Sequence, residues 1–214
     1  MPLYTSPRTP LLKERRETAH NFQIALWRIE EDLSFFEQKF ASHPEIKNEN
    51  KKLQWFATRH LVNEMLGETT EIEKDEAGKP FLKNLSHHLS ISHTPVFAAA
   101  MLSKVAEVGI DLEMVNPKVE RIAHKFLRED EIKAIQVDEK IEKLILYWSA
   151  KEALYKLYGK AGIEFISQLL IEPFDLKLSG VLRAEIDGIE QPLKNLQVNY
   201  EFFDDHVLTY VAEG

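Results

Sequence analysis

A chain of 214 residues is long enough for one large domain or two small ones, and its net charge of −8 argues against nucleic acid as the main partner, because phosphate binding needs a basic surface. The absence of cysteine excludes disulfides and thiolate chemistry, and it is compatible with a cytoplasmic protein. No apolar run is long enough to span a bilayer, and the basic N-terminus lacks the apolar core of a signal peptide, so no membrane partner is expected.

The first half of the chain begins with a polar, aperiodic arm over residues 1–19. Alternating apolar residues then predict strands, and apolar residues at three- and four-residue spacing predict helices. Gly67 stands where the C-cap glycine of the longer helix belongs. The predicted elements are strand 22–29, helices 32–40 and 49–66, and strands 89–93, 97–102 and 108–112.

The last of these strands ends in two acids on one side. Gly109, Asp111 and Glu113 alternate with apolar residues, which is the period of an extended strand, and Gly109 leaves space beside Asp111. The two carboxylates repel each other, and a divalent cation with oxygen ligands would compensate that repulsion. A strand end with two solvated acids explains the same residues, so both interpretations stay open at this point.

Three basic side chains in this half are candidates for anion binding, and each also has an ordinary explanation. Arg59 lies off the apolar face of its helix, as a solvated arginine would. Lys79 is kept extended by Pro80 beside a turn, where it can approach an anion or simply lie on the surface. His93 stands at a strand end, where ligand groups often gather and where structural histidines are also common.

Asn116-Pro117 opens a linker that divides the chain into two halves, residues 1–115 and 116–214. Asp138 can cap a long helix, and Gly159 lies just beyond its end. Asp187-Gly188 and Asp204-Asp205 resemble hairpin turns. The predicted elements of this half are helices 119–126, 129–135 and 139–158, and strands 163–171, 174–178, 181–186, 196–203 and 207–211.

The long helix carries an acid on its apolar stripe. The stripe runs through Trp148, and the next position along it is Glu152, so this carboxylate is expected to face the core. A buried carboxylate without a partner is costly and needs a cation. Lys156 at i+4 would give an ordinary helix ion pair, whereas a metal shared with Asp111 and Glu113 would give a functional one.

Four short motifs stand in order along the chain. They are Gly78-Lys79-Pro80, Ser90-Ile91-Ser92-His93, Gly109-Ile110-Asp111-Leu112-Glu113 and Trp148-Ser149-Ala150-Lys151-Glu152-Ala153-Leu154-Tyr155-Lys156. Each motif alone is weak, but the last two together are specific. From about Arg59 to Lys156, with Phe126 and Glu131 at further matching positions, the sequence resembles the 4′-phosphopantetheinyl transferase superfamily in its Sfp-type, holo-acyl-carrier-protein synthase-like form.

The resemblance implies an α+β fold with a pseudo-twofold arrangement of two similar halves. It implies a Mg²⁺-dependent transfer of 4′-phosphopantetheine from coenzyme A to a serine of an apo acyl or peptidyl carrier protein, with release of 3′,5′-ADP. The enzyme is expected to be a monomer in the cytoplasm. Two other functions stay open, namely a non-catalytic module on the same fold that binds coenzyme A or carrier protein, and a Mg²⁺-dependent phosphohydrolase. The identity of the carrier protein is also open.

The resemblance further implies roles for individual residues. Asp111, Glu113 and Glu152 would hold Mg²⁺ against the pyrophosphate, and Glu152 would also be the base for the incoming serine. Lys156 would neutralise charge that develops on the phosphate. Lys151 points about 100° away from Glu152 on the helix, so it ranks below these residues. The implied contacts to coenzyme A are Arg59, Lys79, Pro80, Ser92, His93 and Asp111.

A docking surface for the carrier protein is expected on the short helices after the Asp111 strand. Apolar residues recur there at helical spacing, with cations beside them. An alternative is that the apolar set packs into the core. The residues are Val119, Ile122, Ala123 and Phe126, flanked by Arg121, Lys125 and Arg128.

Overall fold

The computed structural model describes residues 11–14 by their backbone, and residues 22–40, 42–133 and 135–213 in full. It confirms the expected α+β class, since helices and antiparallel sheets alternate along the chain. Most of the predicted N-terminal arm lies outside the described residues. Within the described part of the chain, no helix is long and apolar enough to cross a membrane.

The first sheet contains four antiparallel strands in the order β1-β2-β6-β5. A separate two-stranded ribbon, β3 with β4, lies between the first long helix and β5 in the chain. The helices and strands of this part are β1 (Leu11–Glu14), β2 (Phe22–Arg28), α1 (Leu33–Glu37), α2 (Glu49–Leu66), β3 (Ile72–Lys74), β4 (Pro80–Leu82), β5 (His88–His93) and β6 (Phe97–Ser103).

Helix α2 packs on the first sheet and ends where the sequence predicted. Asn48 caps its start by accepting a hydrogen bond from the backbone amide of Lys51 at 3.0 Å. Gly67 closes its end with a φ of 71°, a left-handed conformation that glycine adopts without a steric penalty. Strand β6 is buried along its whole length because one of its faces packs under α2 and the other packs against the second sheet.

The second sheet contains five antiparallel strands in the order β7-β11-β10-β9-β8. A two-residue turn, Asp204-Asp205, joins β10 to β11 with φ values of 42° and 56°, which confirms that predicted hairpin. The remaining helices and strands are β7 (Val108–Met114), α3 (Glu129–Lys133), α4 (Lys140–Tyr158), β8 (Leu169–Ile171), β9 (Ser179–Ile186), β10 (Leu193–Phe203) and β11 (His206–Ala212).

The two sheets pack face to face through an apolar core, and α2 and α4 cover their outer faces. Strand β7 pairs along its length with β11 near the end of the chain, from Val108 opposite Ala212 to Met114 opposite His206. Residues on both sides of position 115 thus contribute to the second sheet. The division into halves 1–115 and 116–214, and their pseudo-twofold relation, stay predictions.

Several element boundaries differ from those predicted. Residues 163–168 form no strand, and the side chain of Gln168 holds this segment in turns by accepting from the amide of Glu164 and donating to the carbonyl of Gly188. Residues 174–178 also form no strand. The segment after β7 forms two 3-10 turns, Pro117–Arg121 and Ala123–Lys125, in place of one helix. Asp138 lies in a third 3-10 turn, and α4 begins at Lys140 without a side-chain cap.

Candidate active site

Gly109 allows strand β7 to lie directly on the backbone of helix α4. A Cβ atom at this position would lie 2.0 Å from the carbonyl oxygen of Ala153 and 2.8 Å from the amide nitrogen of Leu157. The helix backbone therefore occupies the space that the sequence left open beside Gly109. Because side chains alternate along a strand, Asp111 and Glu113 also face α4.

Asp111 is 3% exposed, and one of its two carboxylate oxygens is fully engaged. Its Oδ1 accepts hydrogen bonds from Lys156 Nζ at 2.7 Å and from Ser92 Oγ at 3.0 Å. Its Oδ2 is buried and has no hydrogen-bond partner among the described residues. A buried carboxylate oxygen without a partner is costly, so this atom is a candidate ligand for a cation.

Glu113 is held by the indole of Trp148, whose Nε1 donates to Glu113 Oε1 at 2.8 Å. Burial and the nearby charge of Asp111 raise the pKa of Glu113 to about 7, although the Trp148 hydrogen bond and the charge of Lys156 act in the opposite direction. The two acids of the strand therefore do not behave as two solvated carboxylates, which disfavours the ordinary explanation of this motif.

Glu152 is half-buried on the adjacent face of α4. Burial raises its pKa to about 7, and the charges of Asp111 and Glu113 add to the rise, while Lys156 lowers it. The ammonium of Lys156 pairs with Asp111 and with the carbonyl of Ile110 at 3.0 Å. Among the described side chains, no ion pair joins Lys156 to Glu152, so the ordinary i,i+4 pair is not formed.

The residues Asp111, Glu113 and Glu152, here called the carboxylate trio, offer the hard oxygen ligands that Mg²⁺ prefers. The unpartnered Oδ2 of Asp111 also fits a cation. Nevertheless, the described residues include no group of three acidic, histidine or cysteine side chains that could hold a metal ion by themselves. The metal assignment of the carboxylate trio therefore stays a prediction that requires ligands from outside the chain.

A cavity of about 370 Å³ opens beside the carboxylate trio and brings most of the predicted residues together. Its lining includes Lys79, Pro80, Ser92, His93, Glu152 and Lys156. Asp111 lies behind this wall, where it contacts Ser92 and Lys156. The cavity thus joins motifs from three separate parts of the chain.

The cations predicted to contact coenzyme A are engaged within the protein. Lys79 Nζ donates to Glu107 Oε2 at 2.5 Å and to the carbonyl of Leu157 at 3.1 Å. The guanidinium of Arg59 stacks 3.9 Å from the centre of the Trp55 ring and donates to that residue's carbonyl at 3.3 Å. Burial lowers the pKa of Arg59 to about 10. Arg59 does not line the cavity.

His93 and Ser92 end strand β5 in different environments. His93 is exposed, and the pKa of its ring is lowered by partial desolvation and then by the charge of Lys156. Ser92 is buried, and its hydroxyl donates to Asp111 and accepts from the amide of Leu112 at 3.2 Å. In this structure Ser92 therefore orients Asp111. Its predicted contact with coenzyme A stays a prediction.

Two contributions were not found from the sequence. Trp148 acts as a hydrogen-bond donor to Glu113, although the sequence indicated only an apolar position. Lys151 is fully buried and forms an ion pair of 2.9 Å with Glu131. Both Trp148 and Lys151 belong to the last sequence motif, which marked them as notable. Their hydrogen-bond partners, however, lie too far away in the sequence to be identified from it.

The expected docking surface is smaller than its sequence pattern suggested. Val119 is 5% exposed and Phe126 is completely buried, and both belong to the core beneath α4. The alternative that this apolar set packs inward is correct for these two residues. Ile122 and Ala123 remain half-buried against the same core.

Comparison with known proteins finds the same family that the sequence motifs resemble. The family model of the 4′-phosphopantetheinyl transferase superfamily matches residues 107–211. The 4′-phosphopantetheinyl transferase AcpT of Escherichia coli K12 is 28% identical over 123 residues, which cover 55% of this chain and 63% of that protein. The 4′-phosphopantetheinyl transferase psf-1 of Bacillus pumilus is 34% identical over 114 residues, which cover 50% of this chain and 48% of that protein.

The matched part spans less than two thirds of the length of each of these relatives. It nevertheless contains strand β7 with Asp111 and Glu113, and helix α4 with Glu152 and Lys156. Over residues 107–211, just under half of its length, the chain therefore matches the 4′-phosphopantetheinyl transferase superfamily.

Proposed function

We propose that this chain transfers the 4′-phosphopantetheine group of coenzyme A to a serine hydroxyl of an apo acyl or peptidyl carrier protein, with Mg²⁺ bound, and releases 3′,5′-ADP. The observation that carries the proposal is that Glu152 and Lys156 line the cavity while Asp111, bonded to Lys156, lies directly behind its wall. These residues and Glu113 all lie in the part of the chain that matches the family. The proposal includes a monomer that acts in the cytoplasm, without nucleic acid or membrane.

Phosphoryl transfer depends mainly on positioning and charge neutralisation. In the proposed reaction the serine oxygen forms a bond to the phosphorus that carries the pantetheine. The bond from that phosphorus to the oxygen of the departing 3′,5′-ADP breaks, and the leaving oxygen keeps the electron pair. Lys156 can follow this change, because its ammonium lies on the cavity wall and needs only to exchange one bond to Asp111 for one to the phosphate.

Glu152 is the proposed base for the serine proton. A general base works best when its pKa lies near the working pH, and the pKa of Glu152 is raised to about 7. Its carboxylate lines the cavity, whereas Asp111 lies behind the wall and Glu113 is held by Trp148. Among the carboxylate trio, Glu152 is therefore the group best placed to receive a proton from a bound serine.

Mg²⁺ would neutralise charge on the pyrophosphate. In proteins Mg²⁺ usually takes one or two carboxylates and completes its octahedral shell with water and substrate phosphates. This habit fits a carboxylate trio that does not form a complete metal site alone. Asp111 Oδ2, which has no partner among the described residues, and the neighbouring Glu113 and Glu152 are the proposed ligands.

Mass spectrometry of an apo carrier protein tests the proposal directly. Incubation with coenzyme A, Mg²⁺ and this protein should add the mass of one phosphopantetheine group, and omission of Mg²⁺ should prevent it. Lys156→Met should lower kcat by about a hundredfold or more, because the charge that follows the phosphate is removed. Lys160→Met is the matched control, since this exposed lysine follows the same helix but does not line the cavity.

The same experiment separates the proposal from a binding module on the same fold. A module would bind coenzyme A and leave the mass of the carrier protein unchanged. No mass increase with several apo carrier proteins, despite measurable binding of coenzyme A, would reject the transfer. A hydrolysed nucleotide without modified carrier would instead support a phosphohydrolase.

A further inference from the structure

The buried lysine of the last motif has no part in the transfer proposed above. Lys151 follows Ala150 on α4, and its side chain is completely buried on the side of the helix away from the cavity. A buried ammonium is costly unless each of its three N–H groups has an acceptor. The acceptors therefore indicate why a lysine is present at this position.

The ammonium of Lys151 has one acceptor for each of its three donors. Nζ donates to the carbonyl of Phe126 at 2.6 Å, to Oε2 of Glu131 at 2.9 Å and to the carbonyl of Phe165 at 3.1 Å. These acceptors lie on segments before and after α4 that share no strand or helix. One side chain thus fixes two loop segments against the helix, and this arrangement is here called the Lys151 clamp.

The two carbonyls in the Lys151 clamp belong to the residues that hold Trp148. The ring of Phe126 lies 5.2 Å from the Trp148 ring, and the ring of Phe165 stacks on it at 5.6 Å with an interplanar angle of 25°. The other edge of the indole donates to Glu113 at 2.8 Å. The contacts therefore form a continuous path from Lys151 through two phenylalanines to Trp148 and Glu113.

We infer that Lys151 is a positioning residue that sets the indole of Trp148, and through it the carboxylate of Glu113. The kinetic part of this inference rests on the proposed transfer, but the structural part does not. Loss of the Lys151 clamp should free the backbone at Phe126 and Phe165, so that their rings no longer fix the indole. Glu113 would then lose a defined orientation, although no residue of the cavity wall has been changed.

The first test observes Trp148 itself. The protein contains three tryptophans, so 5-fluorotryptophan labelling should give three ¹⁹F resonances, and Trp148→Phe identifies the one of interest. Lys151→Met alone leaves Glu131 as a buried charge and can prevent folding. The charge-balanced pair Lys151→Met with Glu131→Gln avoids this, and it should shift or broaden the Trp148 resonance while those of Trp27 and Trp55 stay in place.

Lys143→Met is the matched control for this measurement. Lys143 is a second buried lysine on the same helix, but its ammonium lies 3.4 Å from Glu139 and near the ring of Phe174, away from Trp148. Its replacement should leave the Trp148 resonance unchanged. An unchanged Trp148 resonance in the folded charge-balanced pair would overturn the inference, and so would an equal shift in Lys143→Met.

The second test is kinetic. The charge-balanced pair should lower kcat about tenfold and change the KM for carrier protein little, because a displaced ligand acts on the reacting groups. In a Trp148→Phe background the same pair should lower kcat little further, since the path is already broken. Independent, additive losses would overturn the inference. A wild-type protein without transferase activity would reject the proposed function, while the ¹⁹F measurement would still decide on the Lys151 clamp.

Discussion

At the scale of single residues, Gly109 determines how closely strand β7, which carries Asp111 and Glu113, approaches helix α4, which carries Glu152. A methyl group here would meet backbone atoms of Ala153 and Leu157, and backbone cannot rotate away as a side chain can. Gly109→Ala should therefore lower the free energy of unfolding by about 3 kcal/mol, at the upper end for overpacking. Urea denaturation monitored by circular dichroism measures the loss.

Gly162→Ala is the control for Gly109→Ala. Gly162 has a φ of 88° and open space around its missing Cβ, so its replacement costs only backbone strain, about 1 kcal/mol. Similar losses for the two variants would show that the close approach of strand and helix is not what Gly109 provides.

The sequence alone predicted that Gly109, Asp111 and Glu113 share one face of their strand, because the alternation in residues 108–113 depends only on local geometry. It also predicted that Glu152 faces the core, whereas in the structure Glu152 is half-buried and lines the cavity. It could not find the bond between Lys156 and Asp111, the bond between Trp148 and Glu113 or the acceptors of Lys151, because each joins side chains on segments whose approach is set by tertiary packing.

At the scale of elements, helix α2 presents a buried histidine to an aromatic cluster. The ring of His60 lies 5.0 Å from that of Trp27, 5.7 Å from that of Phe36 and 5.8 Å from that of Phe35. Burial lowers the pKa of His60 in the folded protein, despite the opposing charge of Glu64. The sequence indicated this face of α2 but gave no sign of how strongly its histidine is desolvated.

This burial makes α2 sensitive to acid. The folded-state pKa of His60 lies below the unfolded value of about 6.5, so the unfolded chain binds the proton first as the pH falls. The free energy of unfolding should therefore decrease as the pH drops from about 7 towards about 5. His60→Phe should make this decrease smaller, as measured by urea denaturation at both pH values.

The decrease should not disappear in His60→Phe, because the pKa values of His87 and His93 are also lowered. His124→Gln is the control, since His124 lies exposed in a 3-10 turn and should leave the acid response unchanged. Equal acid responses of the wild type and His60→Phe would contradict the assigned role of His60.

At the scale of the whole molecule, the site lies where the two sheets meet. Strands β5 and β7 are edge strands of different sheets. The hydroxyl of Ser90 accepts a hydrogen bond from the amide of Ile110 at 3.0 Å, and that of Ser92 accepts one from the amide of Leu112 at 3.2 Å. Side chains thus satisfy backbone donors that a strand ladder would otherwise satisfy. The alternating Ser-x-Ser pattern predicted a strand, but this seam depends on the packing of the two sheets.

The seam brings the cavity, formed largely by β5, next to the carboxylate trio on β7 and α4, and this arrangement predicts coupled binding. Without a ligand, burial and then the charge of Asp111 raise the pKa values of Glu113 and Glu152, so Mg²⁺ alone should bind weakly. The pyrophosphate of coenzyme A would supply the missing oxygen ligands. The two ligands together should therefore raise the Tm by more than the sum of their separate effects, with a coupling free energy of about 1–3 kcal/mol.

Adenosine 3′,5′-bisphosphate is the matched ligand for this thermal-shift measurement. It keeps the nucleotide phosphates of coenzyme A but lacks the pyrophosphate, so its shift and that of Mg²⁺ should simply add. Strictly additive shifts for coenzyme A would contradict the coupling, and equal coupling with the bisphosphate would place the metal away from the pyrophosphate. Because binding free energies are linked reciprocally, Mg²⁺ should tighten coenzyme A binding by the same factor that coenzyme A tightens Mg²⁺ binding, which isothermal titration can verify in both orders.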